Sequence, residues 1–126
     1  MKRGFTLVEL IVVILIIGVL STLGLVQYGP AREGALDREA IVNLKLIQAA
    51  MKIYGMEVGG YFDSSDVGVL NQDLKLALPT RNWAYTTEDT GDVSATRQNS
   101  PADWSRTWKL NVGDEDPTCI DGRCPP

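Results

Sequence analysis

Hydrophobic positions fall into three patterns along the chain. From Phe5 to Val26 they are almost continuous, and Leu10 to Leu20 contains no polar side chain. About 20 apolar residues make a helix long enough to cross a bilayer. From Ala31 to about Glu57 the pattern becomes periodic. Leu36, Ala40, Leu44, Ile47, Met51, Tyr54 and Val58 recur at spacings of three and four, which predicts an amphipathic helix with one core-facing stripe. Arg32, Glu33, Asp37, Arg38 and Glu39 mark its first exposed turns. Beyond that the periodicity shortens towards two.

Glycine and proline set the boundaries. Gly18, Gly24, Gly29 and Pro30 interrupt the apolar stretch. Each internal glycine costs about 1 kcal/mol relative to alanine, and Pro30 lacks an N–H and clashes with the preceding turn. A kink or break is expected at Gly29 and Pro30. Gly55 and Gly59-Gly60 end the amphipathic helix. Tyr61 to Asp66 reads as a loop with helix-capping residues, and Val67 to Leu78 as a short helix or strand stopped by Pro79.

The remainder reads as antiparallel sheet. Trp83 to Thr87 alternates, Asp89-Thr90-Gly91-Asp92 is a turn, Val93 to Gln98 is a second strand and Trp104 to Val112 a third. Trp83, Trp104 and Trp108 are expected as core or sheet–helix contacts. Gly113 to Pro126 reads as a polar tail. The expected fold class is α+β: one long helix, apolar then amphipathic, packed on a small antiparallel sheet of about three to four strands.

Length and composition limit the chemistry. The chain has 126 residues and no histidine, which removes the commonest general base and the commonest metal ligand. No nucleophile elbow, phosphate loop or paired acid–base motif is present, so an enzyme is not expected. The net charge of −4 falls to −6 without Lys2 and Arg3, a balance that argues against general nucleic-acid binding. Arg81, Arg97, Arg106, Lys109 and Arg123 nevertheless offer a candidate basic face for a DNA-capturing subunit.

Two features of the tail carry candidate sites. Cys119 and Cys124 enclose Ile120-Asp121-Gly122-Arg123, whose turn-forming middle lets the thiols approach. In a chain that enters a membrane such a pair suggests an oxidising compartment and a structural disulfide. Asp114, Asp116 and Asp121 are oxygen donors of the type calcium prefers, although no EF-hand spacing is present and a solvated acidic turn is the simpler explanation. No other cofactor is expected.

Glu9 is the anomaly: a single carboxylate in a segment otherwise suited to lipid, where an ionisable residue is functional by default. Met1-Lys2-Arg3-Gly4 before it is short, basic and ends in a small residue, and Lys2 and Arg3 predict that this end faces the cytoplasm. A cut between Gly4 and Phe5 would leave the apolar run in the mature chain and create an amine one helical turn from Glu9. An amine and a carboxylate in a low-dielectric setting neutralise one another, within a chain or between neighbours.

Gly4-Phe5-Thr6-Leu7-Val8-Glu9 followed by the apolar run resembles the prepilin N-terminus of bacterial type IV pilins and type II secretion pseudopilins. The resemblance is close over about the first 28 residues. It implies that a prepilin peptidase cleaves after Gly4 and that Phe5 is N-methylated. The helices then bundle as a filament core, with Glu9 acting in assembly. The implied segments are a leader (1–4), a membrane and filament-core helix (5–30) and a head (31–126). Within the head lie a helix (31–57), a connecting loop (58–81), and the sheet with its disulfide loop (82–126). The implied partners are other copies of the chain in a homo-oligomeric filament, the prepilin peptidase and an inner-membrane assembly platform. The head would lie in the periplasm and then on an extracellular pilus or, in the alternative, a periplasmic pseudopilus for protein export. Many pilins carry a helix-breaking proline about one turn before Pro30, where this chain has Val26.

Overall fold

The computed structural model describes residues 4–125, so Met1, Lys2, Arg3 and Pro126 lie outside the described residues. Helix α1 runs from Leu7 to Val58, α2 from Val67 to Asp73, and a 3-10 turn from Ala102 to Trp104. Four strands follow α2: β1 (Trp83–Thr87), β2 (Val93–Arg97), β3 (Arg106–Leu110) and β4 (Thr118–Gly122). They form one antiparallel meander in the order β1-β2-β3-β4. This is an α+β fold, with a long helix and a small antiparallel sheet as the sequence pattern predicts.

The chain divides into two compact units, Met1–Glu33 and Gly34–Pro126. In the first, α1 is continuous across Pro30. Of the kink or break expected there, the break is absent. The proline removes one backbone donor, but the hydrogen bonds of the turns on either side keep the helical path.

In the second unit the stripe on α1 becomes the core. Ala40, Leu44, Ile47 and Met51 are fully buried and cluster with Leu70, Leu74 and Leu78 and with Trp83, Tyr85, Val93, Ala95, Trp108 and Leu110 of the sheet. The buried-intermediate alternation of β1 and β3 gives each strand one core face. Val58 does not join the stripe and is 64% exposed. It is the last residue of the helix, and Gly59 follows with φ +89°, the left-handed conformation that glycine adopts at helix C-termini. Asp66 caps α2 by accepting from the amides of Gly68 and Val69.

The tail is more ordered than its polarity suggests. It contributes β4, which pairs with β3 with a register shift between Thr107 and Trp108 that leaves Ile120 unpaired. Gly122 ends the strand at φ +82°, and a Cβ there would lie 2.0 Å from the Ser105 carbonyl oxygen. Only glycine permits that approach.

A buried polar cluster ties α1 to the sheet. Arg106 donates Nε–H to Asp37 Oδ1 at 2.6 Å, and the Trp108 indole donates to the same oxygen at 2.9 Å. The Trp83 indole donates to the Leu36 carbonyl at 3.0 Å. The guanidinium groups of Arg97 and Arg106 lie 5.8 and 5.4 Å from the centre of the Trp83 ring, close enough for a cation–π contribution.

Candidate functional site

Glu9 sits in the first turn of α1, and its carboxylate is already engaged. Glu9 Oε2 accepts from the Thr6 amide at 3.3 Å and from the Thr6 hydroxyl at 3.1 Å, while the Glu9 amide donates to Thr6 Oγ1 at 3.3 Å. Thr6 precedes the first helical residue, Leu7, and Glu9 is the third residue of the helix. This reciprocal arrangement is a capping box. It satisfies two of the backbone donors that a helix start leaves open. It also places a negative charge at the positive end of the helix dipole. Thr6 is the site residue that reading the sequence missed, and the signal was present as Thr6-Leu7-Val8-Glu9.

Gly4 and Phe5 precede the cap in non-helical conformation, and both are exposed. A side chain at Gly4 would meet nothing within 4 Å. The Gly4–Phe5 bond thus lies outside the helix, between two exposed residues. Behind the cap, Leu7–Gly24 is long and apolar enough to cross a membrane, and none of it is buried within the chain. Its two hydroxyls are satisfied locally: Ser21 donates to the Ile17 carbonyl and Thr22 to the Val19 carbonyl, each at 2.7 Å. That closes the polar groups a lipid environment would otherwise penalise.

The family described as the prokaryotic N-terminal methylation motif matches residues 1–25. The chain carries this motif at its N-terminus. It is similar to the type IV major pilin protein PilA of Myxococcus xanthus (strain DK1622), with 34% identity over 68 residues. That stretch is 53% of this chain and 31% of the relative, so the match spans less than a third of the relative's length. No solved structure matches the chain.

The other candidate sites fare differently. Cys119 and Cys124 form a disulfide with a Cα–Cα distance of 5.7 Å, closing the end of β4. Asp114, Asp116 and Asp121 do not converge. Asp114 accepts from the Asn111 side chain at 2.8 Å, Asp116 pairs with Lys45 at 2.5 Å, and Asp121 accepts from the Gly122 amide at 2.9 Å. Among the described residues no group of three or more acidic, histidine or cysteine side chains is placed to hold a metal ion.

The expected basic face is also dispersed. Arg97 and Arg106 are only 6% and 2% exposed. Lys109 pairs with Glu88 and Asp92 at 3.2 and 3.3 Å. Those hydrogen bonds, to Glu88 first, hold its ammonium above the usual lysine range. Arg123 stacks 4.3 Å from the centre of the Trp104 ring. Two of the five cations are therefore committed to the interior, because aromatic rings and backbone carbonyls take the place of water around them.

Proposed function

We propose that the chain is a structural pilin subunit, cleaved after Gly4 and N-methylated on Phe5, that polymerises through its N-terminal helix into a type IV pilus. The observation that carries this reading is the Thr6–Glu9 box at the head of an 18-residue apolar helix that nothing in its own chain buries. An apolar surface of that length needs lipid or other copies of itself around it. Before assembly it anchors the subunit in the inner membrane. After cleavage the new amine of Phe5 is one peptide unit from the Thr6 amide that Glu9 already accepts. In this reading the same carboxylate meets a neighbouring subunit's amine and fixes its axial position. The prepilin peptidase and an inner-membrane platform are the partners this cycle requires.

The Cys119–Cys124 disulfide favours an exported, oxidised head. A pseudopilin of a type II secretion system is the second reading, since the same motif serves both. Sheared surface filaments examined by electron microscopy, with mass spectrometry of their subunit, separate the two. Abundant extracellular filaments beginning at methylated Phe5 support the pilus; short filaments confined to the periplasm support the pseudopilus. For Glu9, the expected result is that Glu9→Gln is inserted and cleaved yet fails to assemble. Assembly at wild-type level would sink its role.

A further inference from the structure

Helix α1 has a second apolar stripe that the chain leaves uncovered. Val42, Leu46, Ile53 and Met56 are 63%, 47%, 56% and 79% exposed, and Ala49 between them is exposed as well. At about 100° per residue, these spacings of four and three draw one line on the side of the helix opposite Ala40, Leu44, Ile47 and Met51. All of these residues lie in the Gly34–Pro126 unit.

The two flanks of the stripe carry opposite charge. Arg38, Lys45 and Lys52 recur every seven residues along one flank, where Asp116 pairs with Lys45 and leaves the charge to Arg38 and Lys52. Glu39 and Glu57 lie along the other, joined by Asp73 of α2. At the C-terminal end each flank is hollowed, with Ile53 and Met56 as the ridge between. The basic side has a hollow of about 290 Å³ lined by Lys52, Gly55, Gly59, Gly60 and Tyr61. The acidic side has one of about 260 Å³, floored by Ala50, Tyr54 and Leu74 and rimmed by Glu57, Asp73 and Lys75. Lys75 reduces the acidity of that rim without cancelling it. Among the described residues, Arg38, Lys52, Glu57 and Asp73 make no ion pair within the chain.

We propose that this face binds a second copy of the chain lying parallel to the first, with the basic flank of one helix against the acidic flank of the next. The charge pattern selects the orientation. A parallel copy brings opposite flanks together, whereas an antiparallel copy sets like against like, a mismatch that costs several-fold to many-fold in affinity. Copies anchored in one membrane by the same end are already parallel. With the stripes turned to a common axis, every copy uses both flanks. Such a head-to-tail contact repeats until it closes into a ring or continues as a helix, and the ridge of one copy fits the hollow of its neighbour. The inference rests on the filament reading above and assigns it a charge-sorted contact in the head-borne half of the helix.

The test uses the full-length protein. Lys52→Glu and Glu57→Lys, each expressed alone, are expected to cut filament yield roughly tenfold or more, while the unfolding of the head stays unchanged. Co-expressing the two variants is expected to restore filaments, since each offers the charge the other has lost. An intrachain role for these residues would not produce that rescue. The proposal is overturned if either single variant assembles like wild type, or if the mixture assembles as poorly as its components. A second measurement separates this failure from failure of the filament reading. Ile53→Cys in isolated membranes is expected to oxidise to a cross-linked dimer, and adding Lys52→Glu is expected to abolish it. Cross-linking without filaments would keep the contact and discard the pilus; filaments without cross-linking would do the reverse.

Discussion

Two stretches of one helix, Leu7–Gly24 and Ala40–Met51, are built from similar apolar residues and have opposite fates. In the first, Leu15 and Leu20 are each 63% exposed. In the second, Leu44 and Ile47 are fully buried. The difference lies in what the chain supplies to cover them. Gly34–Pro126 brings a sheet with Trp83, Tyr85 and Trp108 onto the second stretch, and the first has no such element. A residue's hydrophobicity therefore says that it needs a partner, while the rest of the chain decides whether that partner is internal. Where it is not, the apolar surface is left uncovered by its own chain.

The largest expected effect falls on the cluster that closes the second stretch. Removing Arg106 by Arg106→Leu leaves the Asp37 carboxylate buried beside an apolar group. Breaking a buried pair in this way costs about 3–5 kcal/mol. Denaturation of the full chain in detergent, followed by tryptophan fluorescence, measures it. A loss below about 1 kcal/mol would mean that the pair is peripheral. The same assay makes the comparison direct. Leu44→Ala is expected to cost about 2–5 kcal/mol, whereas Leu15→Ala should leave head unfolding within about 0.5 kcal/mol of wild type. Equal effects would erase the distinction between the two stretches.

Where the sequence was legible, a local rule and the tertiary context agreed. The stripe from Ala40 to Met51 and the strand Trp83–Thr87 follow from periodicity, and both are where it puts them. Strand β4 was not legible. Thr118-Cys119-Ile120-Asp121-Gly122 contains two residues disfavoured in strands, and its conformation depends on the partner strand β3 and on the disulfide. Arg97 and Arg106 misled for a related reason. Arginine ordinarily marks a surface, and it is the folded arrangement of Trp83, of Asp37 beside Arg106 and of the surrounding backbone carbonyls that makes the interior acceptable to them. The capping box was legible in Thr6-Leu7-Val8-Glu9, a threonine followed three residues later by a glutamate at a helix start.

Titration at high pH probes the covered stretch alone. Asn43 on α1 donates to the Tyr85 hydroxyl at 2.7 Å. Burial pushes the Tyr85 phenol from 10.0 up to about 12, with the Asn43 bond opposing the shift and Glu39 adding to it. A raised folded value means that the folded state holds the proton between pH 10 and 12 while the unfolded state has released it. Stability from this group is therefore complete below about pH 10 and is lost as pH rises through about 12. A shift of this size corresponds to about 2–3 kcal/mol. Lys109, also raised, contributes with the same sign at somewhat higher pH than its usual range. Tyr85→Phe should flatten most of the decline between pH 10 and 12, measured against the same protein at pH 8; an unchanged slope would place the proton elsewhere.

The smallest expected effect sharpens the uncovered stretch. Thr6→Val keeps the shape of the side chain but removes the hydroxyl that donates to Glu9 and accepts from its amide. Loss of such a cap costs about 1 kcal/mol of helix stability, small beside the energy of inserting an 18-residue apolar helix. Amide exchange at Leu7–Leu10 in micelles should rise about fivefold, that energy expressed as a ratio, while exchange at Ala40–Met51 stays unchanged. The variant also separates the two duties of Glu9. If the box serves only the helix start, Thr6→Val frays the first turn and assembly proceeds. If the box also aims the carboxylate towards a neighbour's amine, filament yield falls even though Glu9 is intact, and Glu9→Gln adds little further loss on top of Thr6→Val. Independent losses from the two substitutions would mean that Thr6 and Glu9 act through different contacts.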